Sequence, residues 1–218
     1  MPDAPPHLTL RDKQKALTRR RLLDAAEAVF ARDGYHGSSV EKVARAAGAT
    51  TGALYSNFAS KEDLFLALFE ERIATDVDYY SKVVAEGATV EQQARGAADH
   101  WMAILRERPA YFPVLIEFWA YAIRRPELRE RLAARFAALR EASARIVLEG
   151  AQRQGYPADA AAGQFVGMLV YALANGLALE KLINPDAVPD ELFGDMLAVI
   201  FNGLEGLARE GPQGATDE

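Results

Sequence analysis

Apolar residues spaced three and four apart recur along the whole chain, and most such runs stop at a glycine or a proline. No stretch alternates strictly between apolar and polar residues. Together these facts call for helices and leave no strand to pair. The breaks have a mechanism: proline cannot continue a helical hydrogen-bond ladder, and glycine takes the positive φ of a helix end. The spacing predicts helices over about 11–33 (or from 18), 39–47, 50–56, 61–84, 90–107, 110–124, 127–154, 158–183 and 189–209. The expected fold class is all-α: three short helices, a long connector and five packed helices.

Local signals sharpen the first part. Leu22, Leu23, Ala26, Val29 and Phe30 form one apolar stripe, closed by Gly34. Ser38-Ser39-Val40-Glu41 reads as a capping box that opens the second helix. Ala46-Ala47-Gly48-Ala49-Thr50 reads as a tight turn, with Val43, Ala44 and Leu54 packed where two helices cross. The third helix is too short to stand alone. Its apolar side is thin, and Thr50, Thr51, Gly52, Tyr55, Ser56 and Asn57 leave it small and polar. Such a helix suits a DNA major groove, where short polar side chains reach base edges. The same pattern also serves as a connector turn in a helical bundle.

Composition excludes several chemistries. The 218 residues include no cysteine, and His7, His36 and His100 lie far apart, so no thiolate or His-rich metal centre is expected. No nucleophile–base pair or phosphate loop supports an enzyme, and no cofactor is expected. No apolar h-region follows the N-terminus, so no signal peptide is expected. Net charge is −6, yet the charge is unevenly spread. Residues 1–61 carry ten Lys and Arg against six Asp and Glu, and the remainder carries fifteen against twenty-five. A basic head on an acidic body fits contact with nucleic acid.

The motifs Ala-Ala-Glu-Ala-Val-Phe-Ala-Arg-Asp-Gly-Tyr, Val-Ala-Arg-Ala-Ala-Gly, Gly-Ala-Leu-Tyr-Ser-Asn-Phe and Ser-Lys-Glu-Asp-Leu lie within residues 20–64. In order and spacing they resemble the DNA-binding domain of the TetR/AcrR family of transcriptional regulators. Ala49 departs from the β-branched residue common there. The resemblance implies that Thr50, Thr51 and Ala53 face bases. It implies that Tyr55, Asn57 and Lys61 touch phosphates or sit beside them, that Ser39 bonds a phosphate, and that Arg45 points to the backbone or groove edge. The basic arm Arg11–Arg21 adds nonspecific attraction. Tyr55 could instead be a small-core tyrosine, and Lys61 a solvated residue of a capping turn.

Residues 160–179 are apolar apart from Gln164 and Asn175 and hold Gly163-x-x-x-Gly167. These polar breaks argue against a membrane span. A helix apolar all round is buried on every side. The expected division turns Phe165, Met168 and Leu169 toward its own domain and the small stripe Gly163, Gly167, Ala174 and Ala178 toward a second copy. The resemblance implies dimerisation through the last two helices, bringing in Phe193, Leu197 and Phe201. It also implies an effector pocket among Trp101, Phe112, Leu115, Phe118, Trp119, Phe136, Phe165 and Met168, suited to a small, largely apolar molecule. Glu117 and His100 either supply polar groups to it or face solvent.

The expected domains are therefore a disordered arm at 1–10, a helix-turn-helix domain at 11–59, a helical effector-binding and dimerisation domain at 60–210, and a disordered tail at 211–218. The expected function is a homodimeric regulator in the bacterial cytoplasm. It is read as a repressor that a small effector releases from a near-palindromic double-stranded operator. An all-α enzyme and a helical interaction module without DNA binding are the alternatives.

Overall fold

The computed structural model describes residues 9–86, 89–153, 155 and 159–210. Most of the expected arm and the whole of the expected tail lie outside these residues. The described chain is helical, with no strand. Its helices are α1 (Leu10–Gly37), α2 (Val40–Ala46), α3 (Thr51–Tyr55), α4 (Lys61–Ala85), α5 (Val90–Glu107), α6 (Tyr111–Ile123), α7 (Pro126–Arg153), α8 (Ala160–Ile183) and α9 (Leu192–Glu210). A single 3-10 turn covers Pro185–Ala187.

Helix α1 begins earlier than the apolar stripe suggests. The Thr9 hydroxyl accepts from the Asp12 N–H at 3.2 Å, and the Asp12 carboxylate accepts from the Thr9 N–H at 3.1 Å. This reciprocal cap satisfies two donors that the helix start leaves orphaned. The expected stop near Asp33 is also present, since Gly34 breaks the helix at φ 70° and one further turn follows. Asp159 caps α8 by accepting from the Ala162 N–H at 2.7 Å.

The chain divides into two compact units. The first, the head, ends at Arg72 and also takes in Pro113–Leu128. The second comprises Ile73–Phe112 and the chain from Arg129. The boundary expected at residue 60 thus falls inside the head, which adds the first turns of α4 and most of α6. The reason lies in the rings. Phe65 of α4 stacks on Phe118 of α6 at 4.1 Å, and Tyr35 meets Phe118 edge-on at 5.0 Å. Leu22, Val29, Phe30, Val43, Leu54 and Leu64 complete this buried core. Each large apolar side chain removed from water contributes about 1.5–3 kcal/mol.

In the second unit, Trp101 packs on Phe193 at 4.9 Å and donates its indole N–H to the Ala174 carbonyl at 3.2 Å. Phe193, Leu197, Val166 and Ala178 are buried with it. The face of α8 expected to pair with a second copy is spent inside the chain. A Cβ on Gly163 would stand 2.9 Å from the Ala144 carbonyl, and one on Gly167 would stand 2.7 Å from the Ser143 Cβ. Small residues let α7 and α8 approach closely at Gly163 and Gly167, which are buried; Ala178 is also buried and Ala174 half-buried. Phe165, Met168 and Leu169, expected to face inward, are exposed. The orientation of α8 is therefore the reverse of the expected one. On α9, Phe193 and Leu197, also expected at the dimer face, are buried within the chain, Phe201 is half-buried, and Met196 and Val199 are exposed.

Candidate nucleic-acid interface

Helices α2 and α3 cross at the expected turn. Gly48 has φ 60°, a left-handed conformation that side-chain-bearing residues rarely adopt. The Ser39 hydroxyl accepts from the Lys42 N–H at 3.3 Å and starts α2. The Thr50 hydroxyl accepts from the Ala53 N–H at 3.0 Å and starts α3. Leu54 is fully buried and Phe58 nearly so, while Thr50 and Tyr55 are exposed and Thr51 and Ala53 are half-buried. One side of α3 is thus anchored and the other open. Arg45 is exposed at the end of α2.

Two of the expected contacts are turned inward instead. The Asn57 amide donates to the Ala53 carbonyl at 2.8 Å, which folds it back on α3 as a C-terminal cap. The Lys61 ammonium donates to the Tyr35 carbonyl at 2.8 Å and the Ser38 carbonyl at 3.1 Å, and lies over the Tyr35 ring. Burial lowers the Lys61 pKa, against the opposing pull of Glu62 and Glu117. Tyr55, by contrast, is no small-core tyrosine, being 51% exposed.

The basic arm also splits. Arg21 donates to the Ala47 carbonyl at 2.6 Å and braces the turn. The Arg19 guanidinium lies over the Phe58 ring at 4.5 Å, just past α3. Arg20 pairs with Asp24 and Glu71, and Arg72 pairs with Glu27. Arg11, Lys13 and Lys15 remain exposed along the first turns of α1. Nothing in their spacing marks Arg19 and Arg21 as braces, because their partners lie far along the chain.

Glu117 is half-buried and turned to the backbone. Its carboxylate accepts from the Tyr35 N–H at 2.8 Å and the His36 N–H at 3.3 Å. Nearby, the Tyr121 hydroxyl donates to Glu62 at 2.7 Å. Burial pushes the Glu62 carboxyl up, but this bond, its own backbone N–H and Ser60 leave it below the usual carboxylate range. Burial likewise pushes the Tyr35 phenol up. A lone acid in the apolar run of α6 was the visible signal that a partner had to exist.

The expected pocket residues are divided between the units. Leu115, Phe118 and Trp119 belong to the head, where Leu115 and Phe118 are core. Trp101 and Phe112 are buried in the second unit, where Phe136 lies edge-on to Tyr171 at 5.5 Å. Phe165 and Met168 are exposed on the outer side of α8. His100 is half-buried: its Nε2 lies 2.8 Å from the Asp76 carboxylate, and Tyr79 stacks on the ring at 4.1 Å.

The family profile described as "Bacterial regulatory proteins, tetR family" matches residues 22–68. A second, "BetI-type transcriptional repressor, C-terminal", matches residues 90–207, more than half the chain. The chain is 33% identical over 104 residues to the fatty acid metabolism regulator protein of Bacillus subtilis, covering 44% of this chain and 54% of that one. It is 35% identical over 95 residues to the transcriptional repressor AcnR of Corynebacterium glutamicum, covering 41% and 48%. The chain thus spans about half the length of these curated relatives. Among solved structures, a TetR-family regulator from Mesorhizobium loti superposes with TM-score 0.68 at 21% identity, covering 88% of this chain and 98% of that one. The regulator FadR from Bacillus subtilis, solved in complex with stearoyl-CoA, superposes with TM-score 0.63 at 22% identity, covering 83% and 96%. These are transcriptional regulators, not enzymes, and the chain belongs to the TetR family of bacterial DNA-binding regulators.

Proposed function

We propose that this chain acts as a homodimeric repressor in the bacterial cytoplasm, released from its operator by a small, largely apolar effector. The observation that carries the reading is the two-sidedness of α3: Leu54 is sealed into the head while Thr50 and Tyr55 stand open. In this reading Thr50, Thr51 and Ala53 meet base edges, and Ser39, Arg45 and Tyr55 meet phosphates. Two heads on one dimer would read half-sites about 34–36 Å apart on a near-palindrome.

The dimer face in this reading is the outer side of α8 and α9. Phe165, Met168, Leu169, Leu179 and Ile183 follow one another at helical spacing, and Met196 and Val199 add to them from α9. An exposed apolar stripe of this length marks an interaction surface. Helix α8 is also long and apolar enough to cross a membrane by length and composition. Its Gln164 and Asn175 and its close packing on α7 favour a protein partner over lipid.

The effector is assigned to the second unit. The His100–Asp76 pair under the Tyr79 ring, with Tyr80 edge-on to His100, would read a polar group there. Helices α4, α6 and α7 contribute residues to both units and supply covalent routes between effector and head.

The test is fluorescence anisotropy with DNA from upstream of the protein's own locus, beside a scrambled duplex. Preference for the former, relieved by a molecule found through thermal-shift screening that begins with long-chain acyl-CoA, is the expected result. Equal binding of both duplexes would sink the reading. By linkage, operator must weaken effector binding by the factor with which effector weakens operator binding.

A further inference from the structure

We propose that Glu117 is a positioning residue for operator binding, holding the Gly34–Ser38 turn in the geometry that presents α2 and α3 together; the proposal rests on the DNA-binding reading above. The turn is gripped by two opposite charges from two helices. Gly34 breaks α1 with φ 70°, and the break leaves the next N–H groups without intrahelical acceptors. The Glu117 carboxylate takes those of Tyr35 and His36, at 2.8 and 3.3 Å. The Lys61 ammonium takes the carbonyls of Tyr35 and Ser38, at 2.8 and 3.1 Å. The buried Ser38 hydroxyl donates to the same Tyr35 carbonyl at 2.6 Å. Polar backbone groups of the turn are thus bracketed from both sides.

Space is consistent with the fit. A Cβ on Gly34 would stand 2.9 Å from Oε1 and 3.0 Å from Oε2 of Glu117, so glycine lets the carboxylate approach the backbone. Ser38 leads directly into Ser39, the cap of α2, and α2 leads through the Gly48 turn into α3. A carboxylate in the apolar run Tyr111–Ile123 is costly unless fully bonded. A leucine there would leave the Tyr35 and His36 N–H groups without this acceptor. The acid therefore serves the turn, and through it the direction in which α2 leaves α1. No phosphate contact is involved, so its removal should not act as the loss of a cation would.

The experiment measures specific and nonspecific DNA affinity, and amide exchange of residues 34–39, for the full chain and for Glu117→Gln and Glu117→Ala. Glu117→Gln keeps the volume and one acceptor oxygen, which guards against a folding defect. In Glu117→Ala the operator Kd should rise roughly tenfold, as loss of a charge-assisted bond would give. Nonspecific affinity and the salt slope should stay near wild type, and exchange should speed up at 34–39 while Val29 and Phe30 stay protected. Glu117→Gln should fall between the two. A parallel fall of specific and nonspecific binding, unchanged specific binding, or unchanged exchange at 34–39 in both variants overturns the proposal. Wild-type protein that fails to distinguish the operator from scrambled DNA overturns the regulator reading instead, a different result from variants that keep full discrimination.

Discussion

Gly167 of α8 meets Ser143 of α7 so closely that an added Cβ would lie 2.7 Å from the Ser143 Cβ. The small residue is spent on packing within the chain, and an interface between copies needs another surface. Gly167→Ala should therefore destabilise the fold by about 1–3 kcal/mol through overpacking, and the folded fraction should keep its oligomeric state. Phe165, 59% exposed, and Val199, 72% exposed, offer the alternative surface. Phe165→Glu and Val199→Glu should leave helix content and melting of the single chain intact while sedimentation shows the mass fall to one chain. A dimer that survives both changes but is lost on Gly167→Ala would restore the small stripe as the interface.

Arg21 should prove structural although it lies in a basic segment. Its guanidinium bonds the Ala47 carbonyl at 2.6 Å and lies 3.2 Å from where a Cβ on Gly48 would be. Arg21→Met should lower head stability by roughly 1–3 kcal/mol, read as an earlier melting transition. Gly48→Ala, forced into φ 60°, should cost about 1 kcal/mol. Operator binding should recover for Arg21→Met at low temperature, where the head is folded; failure to recover would make Arg21 a DNA contact.

Salt dependence separates the remaining cations. Arg11, Lys13 and Lys15 are exposed, and replacing all three with glutamine should flatten the plot of log affinity against log salt by roughly one unit for each phosphate no longer neutralised. Lys61→Met should weaken operator binding more than nonspecific binding, with a slope change well under one unit, because its ammonium holds the same turn through the Tyr35 and Ser38 carbonyls. A full unit of flattening for Lys61→Met would mean that its ammonium meets a phosphate.

The Tyr121–Glu62 bond gives the head a pH signature. The folded Glu62 carboxyl titrates below its ordinary value of 4.5, so the unfolded state takes up protons first as pH falls. Its stabilisation is then full above about pH 4.5 and disappears as pH drops through the lowered folded value. Tyr121→Phe should cost roughly 1 kcal/mol at pH 7, reduced by partial exposure, and the gap from wild type should narrow progressively as pH falls below 4.5 in urea melts. A gap that stays constant down to pH 3 would show that the hydroxyl stabilises the head by some route other than the Glu62 carboxylate.

Local chemistry determined much of this molecule. The helices, the Gly34 and Gly48 breaks, the Thr50 cap and the open side of α3 each depend on residues within four or five positions, so they are legible along the chain. The capping box expected at Ser38–Glu41 is not formed: Ser39 caps α2, and Ser38 donates to the Tyr35 carbonyl. The Thr9 cap that starts α1 lies in the stretch expected as a disordered arm. Only tertiary structure decided which side of α8 turns inward. That choice depends on Ser143 and Ala144 in another helix, and a helix apolar all round carries no internal preference. Tertiary structure also placed Phe118 in the head core beside Phe65 and assigned Glu117 to N–H groups 81 and 82 positions away. A lone acid in an apolar helix announces that it needs donors. Which donors it finds is set by the crossing of chain segments, and spacing along one helix does not contain that information.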